Sequence, residues 1–185
     1  MVDATRRRTY GAAILSFTTT RRPDFLDKNP NGRVPLLELE DGRTLSESDA
    51  ILWYLSEDTL LLPADRWGRA EVLQWMFFEQ YSHELTIAVA RFWLSFAPQV
   101  ELEKRRHLIP EWHAKGHAAL GVMQTHLARR DWFAGGRYSI ADIALYAYTH
   151  CAADGGFDLA SYPAVGAWLK RVASESGHVP LEVAW

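Results

Sequence analysis

Hydrophobic and polar positions change rhythm about a third of the way along the chain. Up to residue 58 the apolar runs are short and separated by turn residues, whereas beyond residue 66 they recur at helical spacing. Residues 12–17 form a short apolar run that fits a strand. Pro23 then opens a short helix whose body is Asp24-Phe25-Leu26-Asp27. Asn29-Pro30-Asn31-Gly32 is a dense turn cluster. Residues 34–39 read as a strand, Asp41-Gly42 as a hairpin turn, and Thr44-Leu45 as the start of a short return strand. Ser46 or Ser48 can cap the helix that follows through Ala50, Ile51, Leu52, Tyr54 and Leu55.

Residues 58–66, with Leu60-Leu61-Leu62-Pro63, interrupt this pattern and read as a linker. The rest is helical. Ala70, Leu73, Phe77, Leu85, Ala88 and Phe92 fall at helical spacing on a long segment ending near Pro98. Leu108, Trp112, Ala119, Met123 and Leu127 mark a second helix, after an acidic and basic stretch at 101–106. Ser139 opens a third helix, and Val165, Trp168, Leu169 and Val172 mark a fourth. The pattern therefore predicts an α+β chain with two domains, a small mixed one over 1–58 and an all-α helical bundle over 67–185.

The third helix carries its own start signal. Ser139 and Asp142 stand three apart, so the serine can take the Asp142 N–H while the carboxylate reaches back to the Ser139 N–H, and Tyr138 and Ile143 are spaced as a hydrophobic staple. Ile143-Ala144-Leu145-Tyr146-Ala147 is nearly apolar all round, which predicts burial. A buried helix end cannot rely on water, so this structural cap is worth about 1 kcal/mol or more.

Composition narrows the class. Apolar residues make up 48% of the chain and charged residues 23%, enough apolar mass for a core. A formal charge of −3 leaves no clustered basic surplus for nucleic acid. The single cysteine, Cys151, excludes an internal disulfide and fits a reducing compartment. No apolar run reaches membrane-span length, and the N-terminus shows no signal-peptide core, so the expectation is a soluble cytoplasmic protein without membrane partners.

Three stretches taken together resemble the glutathione S-transferase family: Asn29 to Pro35, Glu47-Ser48-Asp49-Ala50-Ile51-Leu52-Trp53-Tyr54-Leu55, and the Ser139–Asp142 box with its apolar helix. Their order, and the 13 residues from Val34 to Glu47, match that family over roughly residues 14–175. The resemblance implies a thioredoxin-like domain followed by a helical domain, usually in a homodimer. It also implies a cis Val34–Pro35 bond that presents the Val34 backbone to glutathione, bound as an added strand would be. Ser48, at a helix N-terminus, would take the γ-glutamyl carboxylate and Glu47 the ammonium group. Arg33 would reach the glycyl carboxylate, with Arg22 a weaker candidate for that role. Glutathione would serve as co-substrate without any metal. The activity implied is conjugation to small apolar electrophiles, as in detoxification, or thiol-dependent reduction.

The sequence departs from the family pattern at the start. The family carries its catalytic Tyr, Ser or Cys at the end of a first strand, and fewer residues precede Pro35 here than that arrangement uses. The expectation is a thioredoxin-like domain without its first strand and helix, either as a shortened form of a longer protein or as a natural short form closed by a partner chain. No catalytic role falls on Tyr10, Ser16 or Thr18 to Thr20. The loss favours an alternative reading as a non-catalytic glutathione-binding or interaction module. Of the aromatic residues Trp75, Phe77, Phe78, Tyr81, Phe92 and Trp93, the inward ones read as core and Tyr81 as facing the cleft that holds the electrophile. His113 and His117 are spaced for a shared metal but read as a solvated face, and Cys151 as a buried structural thiol.

Overall fold

The computed structural model describes residues 18–181, and the strand expected at 12–17, with Tyr10 and Ser16, lies outside them. The chain divides into two compact units, with the boundary between Ile51 and Leu52.

In the first unit a 3-10 turn at Thr19–Arg21 leads into helix α1, Pro23–Leu26, where the missing proline N–H costs no helical bond. Asn29 is buried and closes the next turn. Its amide donates to the Arg33 carbonyl at 2.8 Å and its side-chain oxygen accepts the Asn31 N–H at 3.2 Å. Gly32 follows with φ 63°, and a Cβ there would press on Thr20 and Arg21. Strands β1, Leu36–Glu38, and β2, Thr44–Ser46, pair antiparallel with Leu36 opposite Ser46. The turn between them is the expected one: Gly42 has φ 83°, and Asp41 accepts the Arg43 N–H at 3.1 Å. β1 is shorter than residues 34–39, since Pro35 has no N–H to give a ladder and the Leu39 N–H is used in the turn, on the Arg43 carbonyl. Helix α2, Ser48–Ser56, follows at once.

The second unit is helical. Its elements are α3, Arg66–Phe78; α4, Glu84–Arg91; α5, Gln99–Glu103; α6, Ile109–Leu127; α7, Ile140–Thr149; and α8, Pro163–Ser174. Single π-helical turns at Glu79–His83 and Phe92–Phe96 join α3 to α4 and end the segment just before Pro98. α6 packs on α4 and α8, and α7 on α3 and α8. Val72, Ile87, Leu120, Met123, Leu145 and Trp168 are completely buried among them. Each aliphatic side chain of this kind contributes about 1.5–3 kcal/mol by leaving water. α6 passes so close to Phe157 at Gly116 that a Cβ there would overlap the ring.

The helical spacing of Leu73, Phe77, Leu85 and Phe92 holds, but these side chains do not face the core; they are 38%, 69%, 56% and 51% exposed. Val72, Trp75, Met76, Ile87 and Ala90 turn inward, with the polar Glu79 and His83 between them. The segment is apolar on two faces, and each π-helical turn rotates the register, so a 3.6-residue period cannot choose between them. The linker is also more than a spacer. Leu62 is buried, and the Leu61 carbonyl accepts the Ile140 N–H at 3.1 Å, tying this stretch to the first turn of α7.

Candidate functional site

The hairpin register collects the residues singled out by sequence. Because Leu36 pairs with Ser46, the residues entering β1, Val34 and Pro35, and those leaving β2, Glu47 and Ser48, lie at one edge of the hairpin. The Val34–Pro35 bond is cis and Val34 is 59% exposed. Glu47 has φ 71°, a left-handed conformation that costs a non-glycine residue about 1 kcal/mol or more. That single residue turns the chain from strand to helix.

The cap expected of Ser46 or Ser48 is not formed by either. Ser46 ends β2, and the Glu47 carbonyl accepts the first helical bond, from the Ile51 N–H at 3.0 Å, so Glu47 holds the cap position and Ser48 is the first residue inside. The Ser48 hydroxyl has no hydrogen-bond partner among the described residues, and both Glu47 and Ser48 are exposed. The first-turn N–H groups of a helix have no intrahelical acceptor and carry its positive end. This edge therefore offers a hydroxyl, anion-attracting N–H groups and a carboxylate within a few residues.

The two arginines differ. Arg33 is exposed, its carbonyl held by Asn29 and its guanidinium without a partner among the described residues. Arg22 is spent on a neighbour, pairing with Asp24 at 3.1 Å at the start of α1.

In the helical unit Tyr81 is 82% exposed, in the first π-helical turn. Ser139 and Asp142 form the expected capping box, both completely buried. Asp142 does more than cap. Its carboxylate accepts four hydrogen bonds: from the Ser139 N–H (3.0 Å), the Ser139 hydroxyl (3.0 Å), the Phe133 N–H (3.2 Å) and the Trp168 indole (2.9 Å). Burial raises its pKa to about 6, against the pull of those donors. Cys151 is buried as expected, with burial pushing its thiol pKa up.

His113 departs from the solvated face predicted for it. It is half-buried against Phe157 and bonds the Gly155 carbonyl at 2.9 Å, while the exposed His117 meets the Tyr162 hydroxyl at 2.8 Å.

Sequence reasoning missed Glu79 and His83, both buried. The Thr149 hydroxyl donates to the Leu145 carbonyl at 2.6 Å, so His83 Nε2, 2.8 Å away, must be the donor to Thr149. Nδ1 is left without a hydrogen-bond partner among the described residues, 4.0 Å from the Glu79 carboxylate. Burial lowers the His83 pKa to about 4, so the ring is neutral at pH 7. The four-residue spacing of Glu79 and His83 was the available signal, hidden by their position among exposed aromatics.

Comparison with known proteins agrees with this fold. Residues 11–58 match the model for the glutathione S-transferase N-terminal domain, and residues 77–176 the model for its C-terminal domain. The disulfide-bond oxidoreductase YfcG of Escherichia coli K12 is 32% identical over 160 residues, 83% of this chain and 73% of that protein. A glutathione S-transferase structure from Pseudomonas fluorescens is 51% identical with a TM-score of 0.85, covering 89% of this chain and 81% of that one. A Burkholderia graminis glutathione transferase, solved with two glutathione molecules bound per subunit, is 29% identical with a TM-score of 0.77, covering 90% and 74%. The α+β fold is that of these relatives, a thioredoxin-like domain followed by a helical one, the protein is glutathione transferase-like in function, and the chain belongs to the glutathione S-transferase family.

Proposed function

We propose that the hairpin edge is the glutathione site and that the protein uses glutathione as co-substrate, either conjugating it to small apolar electrophiles or spending it in thiol-dependent reduction. The observation that carries this reading is the convergence of Val34–Pro35 and Glu47–Ser48 at one edge, fixed by the Leu36–Ser46 pair. In this reading the Val34 backbone pairs with the tripeptide as an added strand. The Ser48 hydroxyl and the α2 N-terminus take the γ-glutamyl carboxylate, and Glu47 takes its ammonium group. Arg33, without a partner among the described residues and next to Val34, takes the glycyl carboxylate; Arg22, already bound to Asp24, is the poorer choice. Glutathione bound to neighbouring structures supports the ligand assignment.

The finer role is cytoplasmic detoxification by a homodimer. Exposed Leu73, Phe77, Tyr81 and Leu85 follow each other at four-residue steps along α3 and α4, an apolar stripe of the kind a second subunit or an electrophile covers. Tyr81 is the residue assigned to the electrophile.

Calorimetric titration of glutathione into the protein tests the site, and an aryl-halide conjugation assay tests the chemistry. Saturable binding weakened by Ser48→Ala is expected. Binding unaffected by that change removes the site assignment. Binding without conjugation or disulfide reduction points to a glutathione-binding module.

A further inference from the structure

The helical unit carries an open groove of about 550 Å³, away from the hairpin in sequence and built entirely from residues 60–178. Leu60 and Leu61 form one apolar wall, and Trp132 and Tyr138 supply two aromatic surfaces, their rings 5.3 Å apart and inclined at 57°. The floor is anchored: Tyr138 flanks the Ser139–Asp142 cap, and the Arg171 guanidinium lies over the Trp132 ring at 5.8 Å. The far side is the stretch after α8, pinned by a 3.1 Å hydrogen bond between His178 and the Tyr146 hydroxyl.

Two charges line this groove, Arg137 and Glu175, and they do not neutralise each other. Neither side chain makes an ion pair or hydrogen bond with any described residue. Helices elsewhere on the surface pair their charges freely, as Glu101 does with Lys104 and Arg105, and Glu103 with Arg106. A cation and an anion held apart on one aromatic groove are the complement of a ligand with both charges on one head and a flat apolar body. A simple carboxylate would be repelled by Glu175 and a simple amine by Arg137.

We propose that this groove binds a small aromatic zwitterion with an amino-acid head, its carboxylate on Arg137, its ammonium on Glu175 and its ring against Trp132 and Tyr138. Tyr138 adds a donor, since burial first, then the Asp142 and Glu175 charges, push its pKa up to about 12 and keep the hydroxyl protonated. The site is independent of the glutathione reading.

L-tryptophan is the probe, titrated into the full chain by calorimetry and saturation-transfer NMR, alongside tryptamine and indole-3-propionate, which each lack one charge of the head. Saturable L-tryptophan binding is expected, undisturbed by saturating glutathione. Arg137→Gln and Glu175→Gln should each weaken it about tenfold, the size of one charge-assisted contact. The analogues separate the two contacts: Glu175→Gln should weaken tryptamine and, by removing the repulsion, tighten indole-3-propionate, and Arg137→Gln should do the reverse. Arg137 is exposed and Glu175 half-buried, and unchanged circular dichroism of the variants confirms that a loss is local. Absence of saturable binding, displacement by glutathione, or equal affinity in wild type and both variants overturns the proposal.

Discussion

Two helices of this protein begin around a serine, and the two starts are built in opposite ways. At α7, Ser139 is completely buried and its N–H and hydroxyl both find the Asp142 carboxylate, which also takes the Phe133 N–H and the Trp168 indole. At α2, Ser48 is exposed, its hydroxyl is unpartnered among the described residues, and the cap position is held by Glu47 in a left-handed conformation. The difference follows from burial. A helix end sealed from water must close its own hydrogen bonds or lose about 1–3 kcal/mol for each group left open. An end on the surface loses nothing by leaving them to solvent, and so keeps them for a ligand.

Substitutions separate the two ends, beginning with the largest effect. Asp142→Ala strands four buried donors and is expected to cost about 4 kcal/mol, read as a lower urea midpoint. Glutathione binding of the fraction that remains folded should be unchanged.

The pH dependence is the next sharpest test, because two buried groups oppose each other. Asp142 has a folded pKa raised from 3.8 to about 6, so the proton-linked part of its contribution to stability is complete below pH 3.8 and gone above about 6. His83 has a folded pKa lowered from 6.5 to about 4, so its penalty is complete below about pH 4 and gone above 6.5. Each amounts to about 3 kcal/mol, and in wild type the two slopes largely cancel between them. Relative to wild type, Asp142→Asn should gain stability as pH rises from 4 to 6.5, and His83→Asn should lose it. Denaturant unfolding across that range checks both signs, and parallel profiles for the two variants would break the assignment.

At the open end the effects are smaller and fall on binding. Ser48→Ala should weaken glutathione about tenfold, the worth of one hydrogen bond to a charged group. Its stability should stay within about 0.5 kcal/mol of wild type, as for other surface changes. Glu47→Gly should raise stability by about 0.5–1 kcal/mol by relieving the left-handed backbone, while weakening glutathione, as calorimetry and thermal melts would show together. A gain in both would remove Glu47 from the site.

Much of the fold was legible because it rests on local rules. Asp41-Gly42 fixed the hairpin, Pro23 opened a helix, and Ser139-Asp142 announced a buried one. The helical segment after residue 66 was less legible. Leu73, Phe77 and Leu85 mark the segment as helical without marking its core side, which carries Val72, Met76 and the polar Glu79 and His83. Nothing in a periodicity count favours a face holding a carboxylate and an imidazole over one holding leucine and phenylalanine. The candidate site was legible as four residues in two motifs, although the cap was assigned to a serine when Glu47 occupies it.

The sequence by itself determined the hairpin, the main helical segments, their order and the two motifs of the hairpin edge, since turns, caps and proline positions act over four or five residues. Only the tertiary structure decided which face of α3 and α4 is buried, that Asp142 gathers donors from Phe133 and Trp168, and that Arg137 and Glu175 share one groove. These depend on residues far apart in the chain meeting in a close-packed interior or along its surface, and no local rule records such a meeting.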